Sequence, residues 1–395
     1  MMNTEKQLRI GVIGIGNMGS AHAASLYNGK VNGCLLAALC DINAEKRRYA
    51  KEHYPNVPIF SSSDELIKSN TVDAVIVATP HRFHTDIAVS AMRAGIDVLS
   101  EKPADVIYSK AQESVKVAKE EKRVYALMFN QRNNAVYTKL NELIKSGSIG
   151  RIKRVDWTVT NWYRTQKYYD SGDWRGSWSG EGGGVLINQA PHNLDMINML
   201  FGLPNSVYAR CSIGKYHNIS VEDEAMLILS YNDFDLTFRT ATGECPGTNR
   251  MEIACDMGKV IVENGKITCA LLDESERSLC FDSNESFPSF SVKVTDLVSE
   301  GADSAHIGII NNFRDAILYG APLTASGTDG VNEIMLSNAA YLSAYTKETV
   351  ELPLSDPKKI EDLLLKLSIN EKRVCKDNPT QSLRNDYSER WSVRW

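Results

Sequence analysis

Four groups of residues in this 395-residue chain have types and spacings suited to chemistry. The first is Gly14-Ile15-Gly16-Asn17-Met18-Gly19, which follows the apolar run LRIGVIGI and opens a helical stretch. A G-x-G-x-x-G turn alone is a weak signal, but between a strand and a helix it predicts dinucleotide binding. Gly14 permits the tight turn, Gly16 lets the backbone approach a pyrophosphate, and Gly19 lets the helix sit close to the sheet. Asn17 and Met18 complete the cradle, and the helix N-terminus offers N–H groups and a positive dipole end to the phosphates. The second is Asp41, ending the next apolar run 22 residues after Gly19. A carboxylate there accepts the adenine ribose hydroxyls and repels a 2′-phosphate. The nearest basic residues, Lys46, Arg47 and Arg48, lie inside the following helix, so NAD is expected as cofactor and NADP is disfavoured. Taken alone, Asp41 also reads as an ordinary turn residue at a strand end.

The third group is Glu101-Lys102-Pro103, beyond the run DVLS. Most lysines are merely solvated. This one sits between an apolar strand and a proline that excludes helix before it, which aims the side chain outward. An ammonium beside an alcohol stabilises the alkoxide character that develops as hydride leaves. The fourth is Gly182-Gly183-Gly184, leading through VLINQA to Pro191-His192. Pro191 suits the first position of a helix ending near Gly202. His192, Asp195 and Met199 then share one face. His192, on the first turn, is the candidate general acid/base, its ordinary pKa of about 6.5 suiting proton transfer near neutrality. A backbone-bonded histidine at a helix start is the bland alternative.

The elements that must hold these groups alternate over the first 125 or so residues. LRIGVIGI, CLLAALCD, VPIF, DAVIVAT, DVLSEK and RVYALMF read as strands, separated by helical stretches. Runs such as AVIVA are apolar on both faces, as central strands of a helix-covered parallel sheet must be. A doubly wound domain over residues 1–129 is therefore expected, with ligands at the carboxyl ends of its strands. The loop Ala78-Thr79-Pro80-His81-Arg82-Phe83-His84 lies at such an end. Thr79 and Pro80 are expected to line the cofactor, and one of His81 and His84 to cap the next helix or pack beside the cofactor. After Phe129 the pattern changes. A helix from about Asn134 to Lys145 is followed by RIKRVDWTVT, SVYARCSIG, EDEAMLILSY, DLTFRTAT, NRMEIACD, KVIVEN and KITCALL. Turn signals at Asn232-Asp233, Met257-Gly258 and Asn264-Gly265 predict a large open, predominantly antiparallel sheet in an α+β domain over 130–395. Burial of the second face against another copy predicts a homodimer or homotetramer. Beyond Gly301, IGIINNFRDAILYG and GVNEIMLSNAAYLSAYTK are helical and are expected to return to the domain interface. The last forty residues are charged and show little pattern.

The strand closing on Glu101-Lys102-Pro103, behind GIGNMG and ATPHRFH, resembles the glucose–fructose oxidoreductase / inositol dehydrogenase (Gfo/Idh/MocA) family. EGGGVLINQAPHNLDMINMLFG and NNFRDAILYGAPLTASGTDG are similar to its later blocks, so the resemblance runs to about residue 355. It implies a nicotinamide cofactor and a cyclic polyol, sugar or sugar derivative as substrate. It also implies that Lys102 bonds the reacting oxygen and touches the nicotinamide ribose, alongside Glu101 and His84 on the cofactor side. Many relatives carry Asp where this chain has Asn188, four residues before His192; Asn can orient a hydroxyl but cannot take a proton, so that burden moves to His192. Asp195 could orient its ring. Substrate contacts are expected from Asn130, Arg132 and Asn133 after the last strand, and from NWYRTQKYYDSGDWRGSW. The latter holds Trp162, Tyr163, Tyr168, Tyr169, Trp174 and Trp178 with Arg164 and Arg175, an aromatic carbohydrate surface or equally an oligomer interface. His306, at the start of the returning helix, could reach the cleft.

The resulting expectation is an NAD-dependent dehydrogenase oxidising a ring secondary alcohol of a sugar, pyranoside, anhydrosugar or inositol-like polyol. The alternatives are an NAD-dependent glycosidase or lyase using transient oxidation, and a non-catalytic NAD-sensing regulator. Composition narrows the rest. With 43% hydrophobic and 24% charged residues and a net charge of −5, the chain has an ordinary globular profile and no basic footprint for nucleic acid. No apolar run is long enough to span a membrane, and MMNTEKQ lacks the features of a secretory signal, so a cytoplasmic enzyme is expected. The eight cysteines (Cys34, Cys40, Cys211, Cys245, Cys255, Cys269, Cys280 and Cys375) are scattered, and the seven histidines form no ligand pair, so no disulfide framework and no metal are expected.

Overall fold

The computed structural model describes residues 7–297 and 305–371. Met1–Lys6 of the N-terminal segment, Gly301 and Cys375 lie outside the described residues. The described chain forms two compact units, residues up to 133 with 305–334, and residues 134–297 with 335–371.

In the first unit the apolar runs form strands and the stretches between them helices, in strict alternation. The order is β1 (Leu8–Ile13), α1 (Asn17–Tyr27), β2 (Cys34–Cys40), α2 (Ala44–His53), β3 (Ile59–Phe60), α3 (Ser63–Lys68), β4 (Ala74–Val77), α4 (His84–Arg93), β5 (Asp97–Ser100), α5 (Tyr108–Glu120) and β6 (Tyr125–Leu127). All residues of β4, β5 and β6 are buried, as a sheet covered on both faces requires. The six strands are parallel in the order β3-β2-β1-β4-β5-β6, the doubly wound arrangement expected from the sequence. Asn43 and Ser62 cap α2 and α3 with their side chains, whereas α1 starts at Gly16 with no side-chain cap.

The second unit opens with α6 (Ala135–Lys145), capped by Asn134. It continues with β7 (Ile152–Val159), α7 (Gln166–Asp170), α8 (Val185–Asn188) and α9 (Pro191–Phe201). Strands β8 (Ser206–Ile213), β9 (Glu222–Ser230), β10 (Asp235–Ala241), β11 (Asn249–Cys255), β12 (Gly258–Glu263) and β13 (Lys266–Leu272) follow, then α10 (Glu276–Asp282) and β14 (Val292–Leu297). The nine-stranded sheet runs β14-β13-β12-β11-β7-β10-β9-β8-β15. Hairpins form at all three expected turns; Asn264 and Gly265 both have positive φ, 52° and 72°, as a tight two-residue turn demands. One pairing departs from a simple meander: β7 lies parallel to β10 and antiparallel to β11. The long α7–α9 excursion lets β7 be placed mid-sheet, a choice no hairpin signal encodes. Trp157, Leu229, Phe238 and Ile253 point to the buried face, Trp157 packing 5.7 Å from Phe238 and 5.9 Å from Tyr137 of α6.

Helix α11 (Ala305–Tyr319) belongs to the first unit, where Ile309, Ile310 and Phe313 share one core with Val12, Leu39 and Ile76. Burying each such side chain contributes roughly 1.5–3 kcal/mol. Helix α12 (Gly327–Thr346) runs on from there. Strand β15 (Val350–Glu351) and α13 (Pro357–Asn370) complete the second unit. Helix α13 lies in the charged stretch where the sequence showed little pattern; only Ile360 and Leu364 are buried along it, too sparse a stripe to read in advance.

Candidate functional site

Steric limits fix the glycine turn. At Gly14, φ is +95° and a Cβ would lie 2.6 Å from the Ala78 carbonyl oxygen; at Gly19 it would lie 1.7 Å from that of Gly14. A Cβ on Gly16 would meet nothing nearer than Lys46 Nζ at 4.0 Å, so the turn packs against the sheet on one side and is open on the other. Asn17, Met18 and Gly19 form the first turn of α1 above that opening. Asp41 is buried at the end of β2. Its Oδ2 accepts the Ile15 N–H at 2.7 Å and its Oδ1 the Asn43 N–H at 2.8 Å, and Lys46 Nζ stands 3.8 Å from Oδ2. The carboxylate therefore braces the turn and keeps further lone pairs open to hydrogen-bond donors.

At the carboxyl ends of β4, β5 and β6 lie most of the other expected residues. The Thr79 hydroxyl and the Asn130 side-chain carbonyl are buried with no hydrogen-bond partner among the described residues. Such atoms fit a ligand with hydroxyl and amide groups. Pro80 opens the short turn of His81–Phe83. His84 is fully buried, with Nδ1 2.8 Å from the Pro103 carbonyl and Nε2 2.8 Å from that of Thr79. It straps the loop after β4 to the loop that carries Lys102. Glu101 is 7% exposed, its Oε1 2.7 Å from His22 Nε2. His306 joins this cluster from α11, its ring centroid 5.7 Å from that of His22, and burial lowers its pKa to about 4. The sequence reading missed His22; its signal was a polar residue on the apolar face Gly19, His22, Ala23, Leu26. Arg132 is paired with Asp329 at 2.8 Å and donates to the Thr324 carbonyl, and Asn133 donates to the Ala305 carbonyl.

In the second unit, His192 is half-buried on the first turn of α9, with Pro191 at its start, Asp195 fully buried and Met199 half-buried. The turn that delivers it is packed too tightly for side chains: a Cβ on Gly184 would lie 1.8 Å from the Glu222 carbonyl oxygen. Glu222, fully buried on β9, accepts the Gly184 N–H at 2.9 Å, the Leu186 N–H at 3.0 Å and the Tyr341 hydroxyl at 2.7 Å. Burial pushes its carboxyl up to about 7, against the opposing pull of these bonds.

Nearby, Tyr168 is a hub. Its hydroxyl accepts from Arg175 Nη1 at 2.6 Å, Asn188 Nδ2 at 3.2 Å and Gln189 Nε2 at 3.2 Å, and the Arg175 guanidinium lies 4.4 Å from the centres of the Tyr168 and Trp174 rings. Asn188 also donates to buried Glu181, which accepts the Gly176 N–H at 2.7 Å. Gln189, Glu181 and Glu222 were not singled out from sequence. The aromatic segment divides by burial. Trp162 is 4% exposed, and Tyr169 and Trp178 are buried, whereas Tyr163 is 47% exposed and Tyr168 and Trp174 are partly open. Arg164 donates to the Trp162 and Tyr163 carbonyls. Among the described residues, no three His, Cys, Asp or Glu side chains are grouped to hold a metal, and no helix is long and apolar enough to cross a membrane.

A parallel six-stranded sheet with this open glycine turn, braced by a strand-end carboxylate, defines a dinucleotide-binding oxidoreductase architecture. The chain belongs to the GFO/IDH/MocA family: a model described as "oxidoreductase family, NAD-binding Rossmann fold" matches residues 8–129, and one described as "GFO/IDH/MocA C-terminal domain" matches residues 137–261. It is an oxidoreductase with NAD as cofactor. Among similar proteins, a myo-inositol 2-dehydrogenase of Thermotoga maritima is 23% identical over 87% of this chain and 98% of its own length. The WlbA dehydrogenase of Bordetella pertussis, solved with NADH and UDP-GlcNAcA, is 25% identical with a TM-score of 0.75, covering 88% of this chain and all of its own. A levoglucosan dehydrogenase solved with NADH and levoglucosan has a TM-score of 0.74 at 21% identity, over 88% of this chain and 100% of its own.

Proposed function

We propose that the protein is an NAD-dependent dehydrogenase that oxidises a ring secondary alcohol of a sugar, pyranoside, anhydrosugar or inositol-like polyol. The observation that carries this reading is the position of Lys102, just beyond β5 on the edge of the sheet where β1 ends in the glycine turn. The relatives named above, which act on or bind inositol, levoglucosan and a nucleotide sugar, support the substrate class.

The bound nicotinamide supplies the hydride acceptor. The Lys102 ammonium donates to the reacting hydroxyl oxygen and stabilises it as the carbon–hydrogen bond breaks. His192 takes the hydroxyl proton, so a carbonyl forms with the proton on imidazole. Asn188 holds a neighbouring hydroxyl without taking a proton. Thr79 and Asn130 bind on the cofactor side. The apolar face for the sugar ring is assigned to the accessible Tyr168 and Trp174, with Arg164 beside them, while Trp162 supports the loop from beneath. Arg132, already paired with Asp329, shapes the loop after β6. Copies of the chain associate through the open sheet. The described cysteines are all unpaired thiols, which supports a reducing, cytoplasmic setting.

The decisive experiment offers inositols, aldoses, anhydrosugars and glycosides with NAD or NADP and follows reduced nicotinamide spectroscopically. Net reduction with one of these classes is expected. Release of free sugar from a glycoside without net reduction would instead make the enzyme a glycosidase or lyase. Tight NAD binding with no turnover on any class would leave a regulator.

A further inference from the structure

Helix α1 starts at the glycine turn and sends one polar side chain into the interior of its unit: His22, 2% exposed among Gly19, Ala23 and Leu26. Its Nε2 lies 2.7 Å from Oε1 of Glu101. The other oxygen of Glu101, Oε2, accepts the backbone N–H of Lys102 at 3.3 Å. Among the described residues, the titratable groups facing Glu101 are His22 from α1, His306 from α11 and Lys102 beside it. Burial alone would push the Glu101 carboxyl up; the His22 bond and the charges of His22, His306 and Lys102 outweigh it and hold the group at about 2. Desolvating a carboxylate costs several kcal/mol, more than a plain staple between a helix and a strand justifies, since packed apolar side chains would serve as well.

We propose that His22 is a positioning residue for Lys102: by clamping Glu101 it fixes both the counter-ion of the ammonium and the anchor of its backbone. The proposal rests on the reading of Lys102 as the group that stabilises the reacting oxygen. An adjacent carboxylate favours the charged form of an ammonium. A neutral staple would leave the titration of Lys102 untouched.

The test compares pH profiles of kcat/KM, and NADH affinity by fluorescence, for the wild type and for Glu101→Gln, His22→Ala, His22→Gln and Lys102→Ala. Glu101→Gln is expected to move the alkaline limb down by about one pH unit. His22→Ala should move it in the same direction, and His22→Gln, whose amide N–H can reach Oε1, should restore it. Should Glu101→Gln not fold, the two His22 variants decide by the same limb. A limb that stays in place in the charge-removing and His22→Ala variants, in an enzyme that Lys102→Ala silences, overturns the proposal and leaves the role of Lys102 intact. Turnover surviving Lys102→Ala overturns the reading beneath it.

Discussion

The proposed function divides binding and chemistry between Asp41 and Lys102, which follow the carboxyl ends of β2 and β5 in one parallel sheet. Lys102→Ala is expected to lower kcat by roughly a hundred- to thousandfold, the scale for removing one preorganised donor from a developing oxyanion, while the dissociation constant of NAD changes only a few-fold. Steady-state rates beside fluorescence titration check this, and an unaltered kcat would remove Lys102 from the mechanism. Asp41 braces Ile15 N–H, and the proposed function also has it face the ribose. Asp41→Ala should therefore weaken NAD by roughly ten- to a hundredfold, the value of hydrogen bonds to a charged group. Loss of the charge should also let Lys46, 3.8 Å away, meet a 2′-phosphate. Parallel titrations with NAD and NADP check both points, and a constant ratio of the two affinities would mean that the ribose is held elsewhere. The strand-end placement of both residues was legible in the sequence because their neighbours announce it, the glycine turn for Asp41 and the proline for Lys102. His22, Glu181 and Gln189 were not, because their partners are 79, 7 and 21 residues away and no local pattern marks them.

Helices α8 and α9 deliver Asn188 and His192, and one strand residue holds their approach. Glu222 satisfies the N–H groups of Gly184 and Leu186 and the Tyr341 hydroxyl from inside the core. Glu222→Ala would strand three buried donors, each costing about 1–3 kcal/mol. It should lower thermal stability and, if soluble, cut kcat by misplacing His192. The same carboxyl gives a pH dependence. Its folded pKa, about 7, lies above the ordinary 4.5. Below pH 4.5 both folded and unfolded chains hold the proton, and stability is undiminished by this group. As pH rises toward 7 the unfolded chain releases its proton first, so stability falls, by about 3 kcal/mol in all. Melting curves across that range should show the decline in the wild type, and a flatter profile in Glu222→Gln. Equal slopes in the two proteins would remove Glu222 as the cause.

At the level of the whole molecule, the outward face of the nine-stranded sheet is a mixed surface rather than a bare apolar one. Arg154 bonds Glu252 at 2.7 Å, Lys259 lies 3.2 Å from Glu252, and Arg250 bonds Glu263 at 2.7 Å. Tyr208 and Ile228, paired across β8 and β9, form a more apolar patch toward the other side. The proposed association through this sheet predicts a dimer or tetramer mass by light scattering, and Ile228→Asp should shift it toward the monomer. A monomeric wild type would end that proposal. The sequence by itself determined the six parallel strands, the glycine turn, most strands of the second sheet and its three hairpins, because periodicity and turn chemistry are local. Only the tertiary structure decided that β7 lies between β10 and β11, that α11 joins the core of the first unit, and that His22 meets Glu101. Each of these depends on apolar surfaces and buried charges finding partners far along the chain, and no window of neighbouring residues contains that information.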